Sequence, residues 1–122
     1  MNLISNLLGD PSSEPKANQA VTVFLDGTHL PNDVYENYDL ATLEDRLMEE
    51  IQAKSLGEFD GNEVRNRATL LSMHSVNAER LFAGIEPILK GYPLCQNARV
   101  VIRSGPAGAP QREVVLPMNE PS

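Results

Sequence analysis

Two stretches of the chain carry apolar residues at helical spacing, and each lies between segments with the composition of β-strands. The first stripe contains Leu40, Leu43, Leu47 and Ile51, and the second contains Ala78, Leu81, Phe82, Ile85 and Leu89. Apolar residues that recur every three to four positions are typical of a helix that buries one face. We therefore expect two amphipathic helices that pack against a sheet.

The residues around these stripes carry signals for the helix ends. Asp39 or Thr42 can cap the first helix, because a short polar side chain can accept a hydrogen bond from a free backbone N–H, and Gly57 can stop this helix. Asn77 can cap the second helix. Pro87 lies inside the second stripe, where it removes one backbone hydrogen bond, so we expect a kink or a restarted last turn there.

Segments rich in β-branched and apolar residues flank both helices. They cover residues 20–25, 68–74, 98–103 and 112–116, and a Gly- and Pro-rich loop precedes the last one. We interpret the order as strand, helix, strand, strand, helix, strand, with an added last strand; four of these five strands have the composition of a strand. This order predicts the α+β class in the ferredoxin-like split βαβ (βαββαβ) arrangement, with an antiparallel sheet and an extra C-terminal strand or hairpin.

The length of 122 residues suits one domain with its own core. We expect an N-terminal arm and linker over residues 1–19, a single α+β domain over 20–117 and a tail over 118–122. No apolar run approaches the roughly 18–20 residues of a membrane span. The first residues lack the basic segment of a secretory signal, and Cys95 is the only cysteine. These features favour a cytoplasmic protein without disulfides and exclude a cysteine-cluster metal site.

The charge is distributed unevenly along the chain. The net charge is −7, and residues 1–63 hold 13 Asp and Glu against 3 Lys and Arg, whereas residues 64–122 hold 4 against 7. Because phosphate contacts need clustered Lys and Arg, this balance argues against a nucleic-acid partner. The acidic surface candidates are Glu44, Asp45, Glu49, Glu58, Asp60 and Glu63. They either steer a basic partner or form only a solvated surface.

The acidic stretch at residues 57–64 lies between the first helix and the strand at 68–74. Glu58, Asp60 and Glu63 offer the oxygen ligands that Mg²⁺ and Ca²⁺ prefer, but the spacing is not that of an EF-hand loop. We interpret Asp60-Gly61 as a turn, because glycine tolerates positive φ. No metal site is assigned from the sequence.

Motifs for catalysis are absent from the sequence. His74 stands beside Ser72 and Ser75, but no G-x-S-x-G elbow is present. There is no P-loop and no G-x-G-x-x-G motif, so no cofactor is expected. We expect Cys95 to be packed and unreactive. The competing hypothesis is a small enzyme or a divalent-metal site built on Glu58, Asp60, Glu63 and His74.

One face of the predicted sheet is left without helices. Alternation places Val21, Val23, Leu71, Met73, Val100 and Ile102 on the inner face. It places Thr22, Phe24, Leu70, Ser72, His74, Arg99, Val101 and Arg103 on the other face. That face is partly apolar and partly basic, and it lacks the several aromatic residues of an RNA-recognition module. We expect a protein interface there that uses Phe24, Leu70, His74, Val101 and Arg103.

The region from about residue 40 to 116 resembles a group of small bacterial proteins with no assigned activity. The similarity lies in residues 40–47, 57–63, 68–70, 77–82 and 86–89. Residues 75–77 depart from the Gly-Pro-Asp turn of the group but keep a capping residue. The resemblance implies a bacterial single-domain protein and transfers no catalytic residue.

The sequence thus predicts a non-catalytic protein-binding domain. The partner is a second copy, as in a dimeric regulatory module, or a basic protein, as for an acidic immunity-type inhibitor.

Overall fold

The computed structural model describes residues 17–65 and 68–117. The elements in chain order are β1 (Gln19–Asp26), α1 (Asn32–Asn37), α2 (Leu40–Ala53), β2 (Glu58–Arg65), β3 (Ala68–Ser75), α3 (Ala78–Gly91), a 3-10 turn (Pro93–Cys95), β4 (Arg99–Arg103) and β5 (Gln111–Val115). Most of the expected N-terminal arm and the whole expected tail lie outside the described residues.

The sheet has the strand order β2-β3-β1-β4-β5, and all four pairings are antiparallel. α2 connects β1 to β2, which lie on either side of β3, and α3 connects β3 to β4, which lie on either side of β1. The α+β class and the antiparallel sheet are therefore confirmed. The ferredoxin-like topology is not established by this five-strand order.

One core joins the helices to one face of the sheet. The sheet residues predicted to face inward, Val21, Val23, Leu71, Met73, Val100 and Ile102, are all buried. The second helical stripe is fully buried, and the first is buried except for Leu40, which packs against the core from its edge. Burying one such aliphatic side chain stabilises a fold by roughly 1.5–3 kcal/mol. The buried side chains of the strands and helices therefore hold the two layers together.

The caps follow the local sequence at both helix starts. Asp39 accepts hydrogen bonds from the backbone N–H of Thr42 at 3.2 Å and from its hydroxyl at 2.8 Å. Asn77 accepts one from the backbone N–H of Arg80 at 3.1 Å. α3 continues past Pro87 as one helix, so the expected restart of its last turn is wrong. Pro87 leaves the backbone carbonyl one turn earlier without its helical hydrogen bond. A carbonyl on an exposed side of a helix can accept a hydrogen bond from water instead, so the helix tolerates the proline.

Gly57 does not stop α2, contrary to the prediction. The helix ends at Ala53 and the chain reverses at Ser55, which has a φ of 52°. Gly57 has another role, because a Cβ atom on it would lie 2.2 Å from the carbonyl oxygen of His74. The start of β2 can therefore approach β3 closely only through a glycine.

The predicted turn at Asp60-Gly61 is also wrong, because both residues belong to strand β2. The pairing with β3 shifts between Phe59, which lies opposite Met73, and Gly61, which lies opposite Ser72. Asp60 is thus the extra residue of a β-bulge. Its neighbour Gly61 adopts a φ of 130°, so the freedom of glycine serves the bulge and not a reversal of the chain.

Helix α1 was not foreseen from the sequence. It follows Pro31, and its residue Val34 joins the core together with Leu30. Six residues are too few for a clear helical period. Within residues 17–65 and 68–117, no helix has the length and apolar character needed to cross a membrane.

Candidate functional site

The face of the sheet opposite the helices is the main candidate site. The buried residues of α1, α2 and α3 all join one core, so the described helices cover only one sheet face. On the other face, the register aligns three rows of residues, each running from β2 through β3, β1 and β4 to β5. The first row contains Glu58, His74, Ala20, Arg103 and Gln111, the second contains Gly61, Ser72, Thr22, Val101 and Glu113, and the third contains Glu63, Leu70, Phe24, Arg99 and Val115.

The centre of this face is partly apolar. Phe24, Leu70 and Val101 are all half-buried, and Val115 at the end of the third row is exposed. The guanidinium carbon of Arg99 lies 4.4 Å from the centroid of the Phe24 ring. This cation–π contact places a positive charge directly beside the apolar centre of the face.

Two arginines on β4 form the basic side of the face. Arg99 makes an ion pair with Glu113 on β5, with Nη1 and Oε2 3.0 Å apart. Arg103 donates from Nε to the carbonyl oxygen of Gly105 at 2.8 Å and from Nη2 to that of Asn18 at 2.9 Å. Both guanidinium groups are thus held at the surface by contacts within the chain.

The carboxylates of β2 form the acidic side. His74 on β3 lies between two of them, with Nδ1 2.7 Å from Asp60 Oδ1 and Nε2 3.3 Å from Glu58 Oε1. Glu63 is further along the strand and pairs with Arg65 at 2.7 Å. Three of the four residues in the competing metal or enzyme hypothesis are therefore together, and Glu63 is apart from them.

The cluster of Glu58, Asp60 and His74 is the one group in the described part of the chain where three potential metal ligands converge. One ligand atom from each residue lies within 4.8 Å of the others. The Asp60 bulge and the Glu58–His74 cross-strand pair bring them together. An imidazole with two carboxylates can bind a divalent ion or exchange a proton.

The remaining acidic candidates lie on the helix side of the molecule. Glu44, Asp45 and Glu49 belong to α2, and Glu44 accepts a hydrogen bond from the side-chain amide of Asn62. The cross-strand partner of Asn62 is the buried Leu71, so Asn62 faces the helices. The structure thus divides the predicted acidic residues into a helix group and a sheet group on opposite sides of β2.

The serines next to His74 have different environments. Ser75 is buried, and its hydroxyl donates to the carbonyl oxygen of Leu56 at 2.6 Å. The Ser75 hydroxyl oxygen also accepts from the backbone N–H of Asn77 at 2.9 Å. Strand alternation turns Ser75 away from His74, so these two residues do not form a nucleophile–base pair. Ser72 shares the face of His74, two positions along β3.

Asp26 is the last residue of β1, and its carboxylate accepts several hydrogen bonds that the sequence did not reveal. The Asp26 side chain is only 9% exposed and accepts from the backbone N–H groups of Thr28 and His29 at 2.9 and 3.0 Å and from the Asn97 amide at 2.8 Å. Burial by itself raises the pKa of Asp26, but these hydrogen bonds outweigh it and hold the pKa well below its usual value. Asp26 therefore stabilises the loop after β1.

The single cysteine takes no part in the sheet face. Cys95 is buried in the 3-10 turn, and burial raises the pKa of its thiol to about 12. A thiol in this environment is neutral and a poor nucleophile at pH 7.

An open pocket of about 460 Å³ lies near the end of β1, on the helix side. Its lining includes Tyr35, Tyr38 and the exposed Val64. The Tyr35 hydroxyl donates to the backbone carbonyl of Asp26 at 2.8 Å and accepts from the N–H of Leu30 at 3.1 Å. These bonds give the tyrosine a structural role in holding the loop.

Comparisons with protein families, curated proteins and solved structures find no match to this chain. The resemblance to a group of small bacterial proteins therefore stays a prediction.

Proposed function

We propose that this protein is a non-catalytic protein-binding domain that pairs with a second copy of itself through the helix-free face of its sheet. The observation that carries the proposal is the arrangement of charge on that face. The first and third rows each place a glutamate on β2 and an arginine on β4, with the strands β3 and β1 between them. Such a face is complementary to itself.

Two copies can pair about a two-fold axis that lies between the two packed sheets, parallel to the strands and midway between β3 and β1. It lays β2 of one copy over β4 of the other and β3 over β1. Glu63 then faces Arg99 of the second copy, and Glu58 faces Arg103. Packed sheets are about 10 Å apart, a distance that a glutamate and an arginine can bridge. Each pair forms twice, as an isologous interface requires.

The apolar centre supplies the attraction in this arrangement. The same axis places Leu70 over Phe24 of the second copy, and Val101 over Gly61. Removing apolar area from water contributes about 25 cal/mol per Å², whereas an exposed ion pair contributes about 0–1 kcal/mol. The charge pairs therefore set the orientation and the apolar residues set the strength.

The outer edges of the sheet favour face packing over edge pairing. β2 carries Glu58, Asp60, Glu63 and Arg65, and β5 carries Arg112 and Glu113. Charged side chains on edge strands oppose the addition of another strand. A second copy therefore meets the face.

The proposal includes a ferredoxin-like classification and a cytoplasmic location. The classification is supported by the two helical crossovers, each of which passes one intervening strand. The location is supported by the single buried thiol. The bacterial origin and the absence of catalysis belong to the same proposal.

Sedimentation equilibrium tests the proposed pairing. The chain has a mass of 13.4 kDa, and we expect twice this mass at high protein concentration, with dissociation on dilution. Moderate salt should shift the equilibrium toward the monomer, because it screens the charge pairs. A strict monomer over the whole concentration range would contradict the proposal and leave a basic protein, as for an immunity-type inhibitor, as the partner to seek.

A further inference from the structure

We propose that Glu58, Asp60 and His74 bind one divalent transition-metal ion, of which Zn²⁺ is the reference. The inference does not depend on the proposed dimer. Of the four residues in the competing hypothesis from the sequence, Glu58, Asp60 and His74 stay in the ligand set and Glu63 leaves it. An imidazole ligand favours first-row transition metals over the hard ions Mg²⁺ and Ca²⁺.

The spacing of the ligand atoms fits a single ion with a small adjustment. Ligand atoms at about 2.0–2.2 Å from a tetrahedral zinc ion lie roughly 3.3–3.6 Å from one another. In the structure, one atom from each of the three residues lies within 4.8 Å of the others. Asp60 lies against Nδ1 of His74 and Glu58 against Nε2, so one carboxylate must rotate toward the other's nitrogen to share an ion. The Glu58 side chain is 74% exposed and has room for this rotation.

The backbone that carries the ligands is held in place. His74 lies on β3, which is paired on both sides, by β1 and by β2. Asp60 is the bulge residue of β2 and Glu58 is the direct cross-strand partner of His74. Ligands on paired strands are positioned more accurately than ligands on loops.

Glu63 stays outside the set because of its position along the strand. Its partner Leu70 lies four residues from His74 on β3, which corresponds to about 13 Å. It pairs instead with Arg65. The side chains of Asp60 and His74 are 42% and 31% exposed, so an ion can reach the site from solvent and complete its coordination with water.

Calorimetric titration with ZnCl₂ at pH 7 tests the site. The visible absorption spectrum of the protein after addition of CoCl₂ is a second test. We expect one ion per chain in the wild type. Glu58→Gln and His74→Ala should each weaken binding by at least about tenfold. His29→Ala is the matched control, because His29 is the only other histidine and lies at the far end of β1. It should bind Zn²⁺ like the wild type.

Two further measurements keep the result unambiguous. Titration in the Arg99→Glu background, in which the proposed dimer is disfavoured, should give at least the wild-type Zn²⁺ affinity, since the three ligands belong to one chain and Glu58 is then released from Arg103 of the second copy. Circular dichroism checks that each variant is folded, and Glu58→Gln is the safest because its side chain is exposed. No Zn²⁺ binding by the wild type, equal binding by the folded Glu58→Gln and His74→Ala variants, or loss of binding in His29→Ala would each overturn the proposal.

Discussion

Arg99 and Phe24 are cross-strand partners on the helix-free face of the sheet, and the guanidinium carbon of Arg99 lies 4.4 Å from the centroid of the Phe24 ring. Arg99 also pairs with Glu113 on β5. This pair joins the apolar centre of the face to its basic side. Both features that the proposed dimer needs, apolar area and ordered charge, therefore meet at one position.

Replacing Phe24 by alanine should affect association more than folding. The ring is half-buried and lies outside the core on the helix side, so we expect the free energy of unfolding to fall by about 1–2 kcal/mol. Urea unfolding of dilute protein measures this change. Sedimentation should show the variant as a monomer where the wild type is dimeric, and equal association of the two proteins would show that Phe24 is not at the interface.

Asp26 should make stability depend on pH in the acid range. Its pKa is lowered in the folded protein, so its contribution is complete above the unfolded value of about 3.9 and is lost as the pH falls below it. The Asp26→Asn substitution should lower the free energy of unfolding at pH 7 by about 2 kcal/mol. The stability of this variant should also fall less than that of the wild type between about pH 4 and pH 2.

Thermal unfolding at a series of pH values checks the Asp26 prediction. Asp45→Asn, on the exposed side of α2, is the control and should follow the wild type. A parallel acid dependence for Asp26→Asn and the wild type would mean that the carboxylate does not stabilise the loop through its charge.

Gly57 should be the least replaceable glycine among the described residues. A Cβ atom there would lie 2.2 Å from the carbonyl oxygen of His74, at a φ of 148°. We expect Gly57→Ala to cost about 2–4 kcal/mol of stability. Gly91→Ala meets nothing within 4 Å and should change stability by less than about 0.5 kcal/mol. Similar denaturant midpoints for the two variants would contradict the close approach of β2 to β3.

The Cys95 thiol should resist alkylation in the folded protein. It is buried, and burial raises its pKa to about 12, so very little thiolate exists at pH 7. Mass spectrometry after iodoacetamide treatment should find the native chain unmodified and the urea-unfolded chain modified once. Rapid labelling under native conditions would mean that the 3-10 turn opens readily.

Helices α2 and α3 and the inner residues of β1, β3 and β4 could be predicted because their signals are local. The stripe from Leu43 to Ile51 repeats at helical spacing, Asp39 and Asn77 are typical caps, and the inner residues of β1 occupy alternate positions. Strand β2 gave no such signal. It is an edge strand whose residues are mostly exposed on both faces, so no alternation records it.

The site was predictable only in part. Alternation placed Phe24, Leu70 and Arg103 on one face, but the distances between strands depend on the register. Glu58 and Asp60 approach His74 because β2 has a bulge at Asp60. An Asp-Gly pair is compatible with a bulge and with a turn, so the sequence does not show which of the two forms. The bond from Asn97 to Asp26 joins residues 71 positions apart, and no local pattern specifies it.

Charge reversal across the proposed two-fold axis tests the central claim most directly. Arg99→Glu and Glu63→Arg should each weaken the dimer in sedimentation equilibrium, because each places like charges opposite one another in the two copies. The double variant restores opposite charges and should regain most of the association, whereas Lys90→Glu, on the exposed side of α3, should leave it unchanged. Dimerisation by both single variants at the wild-type level, or no recovery in the double variant, would contradict the account.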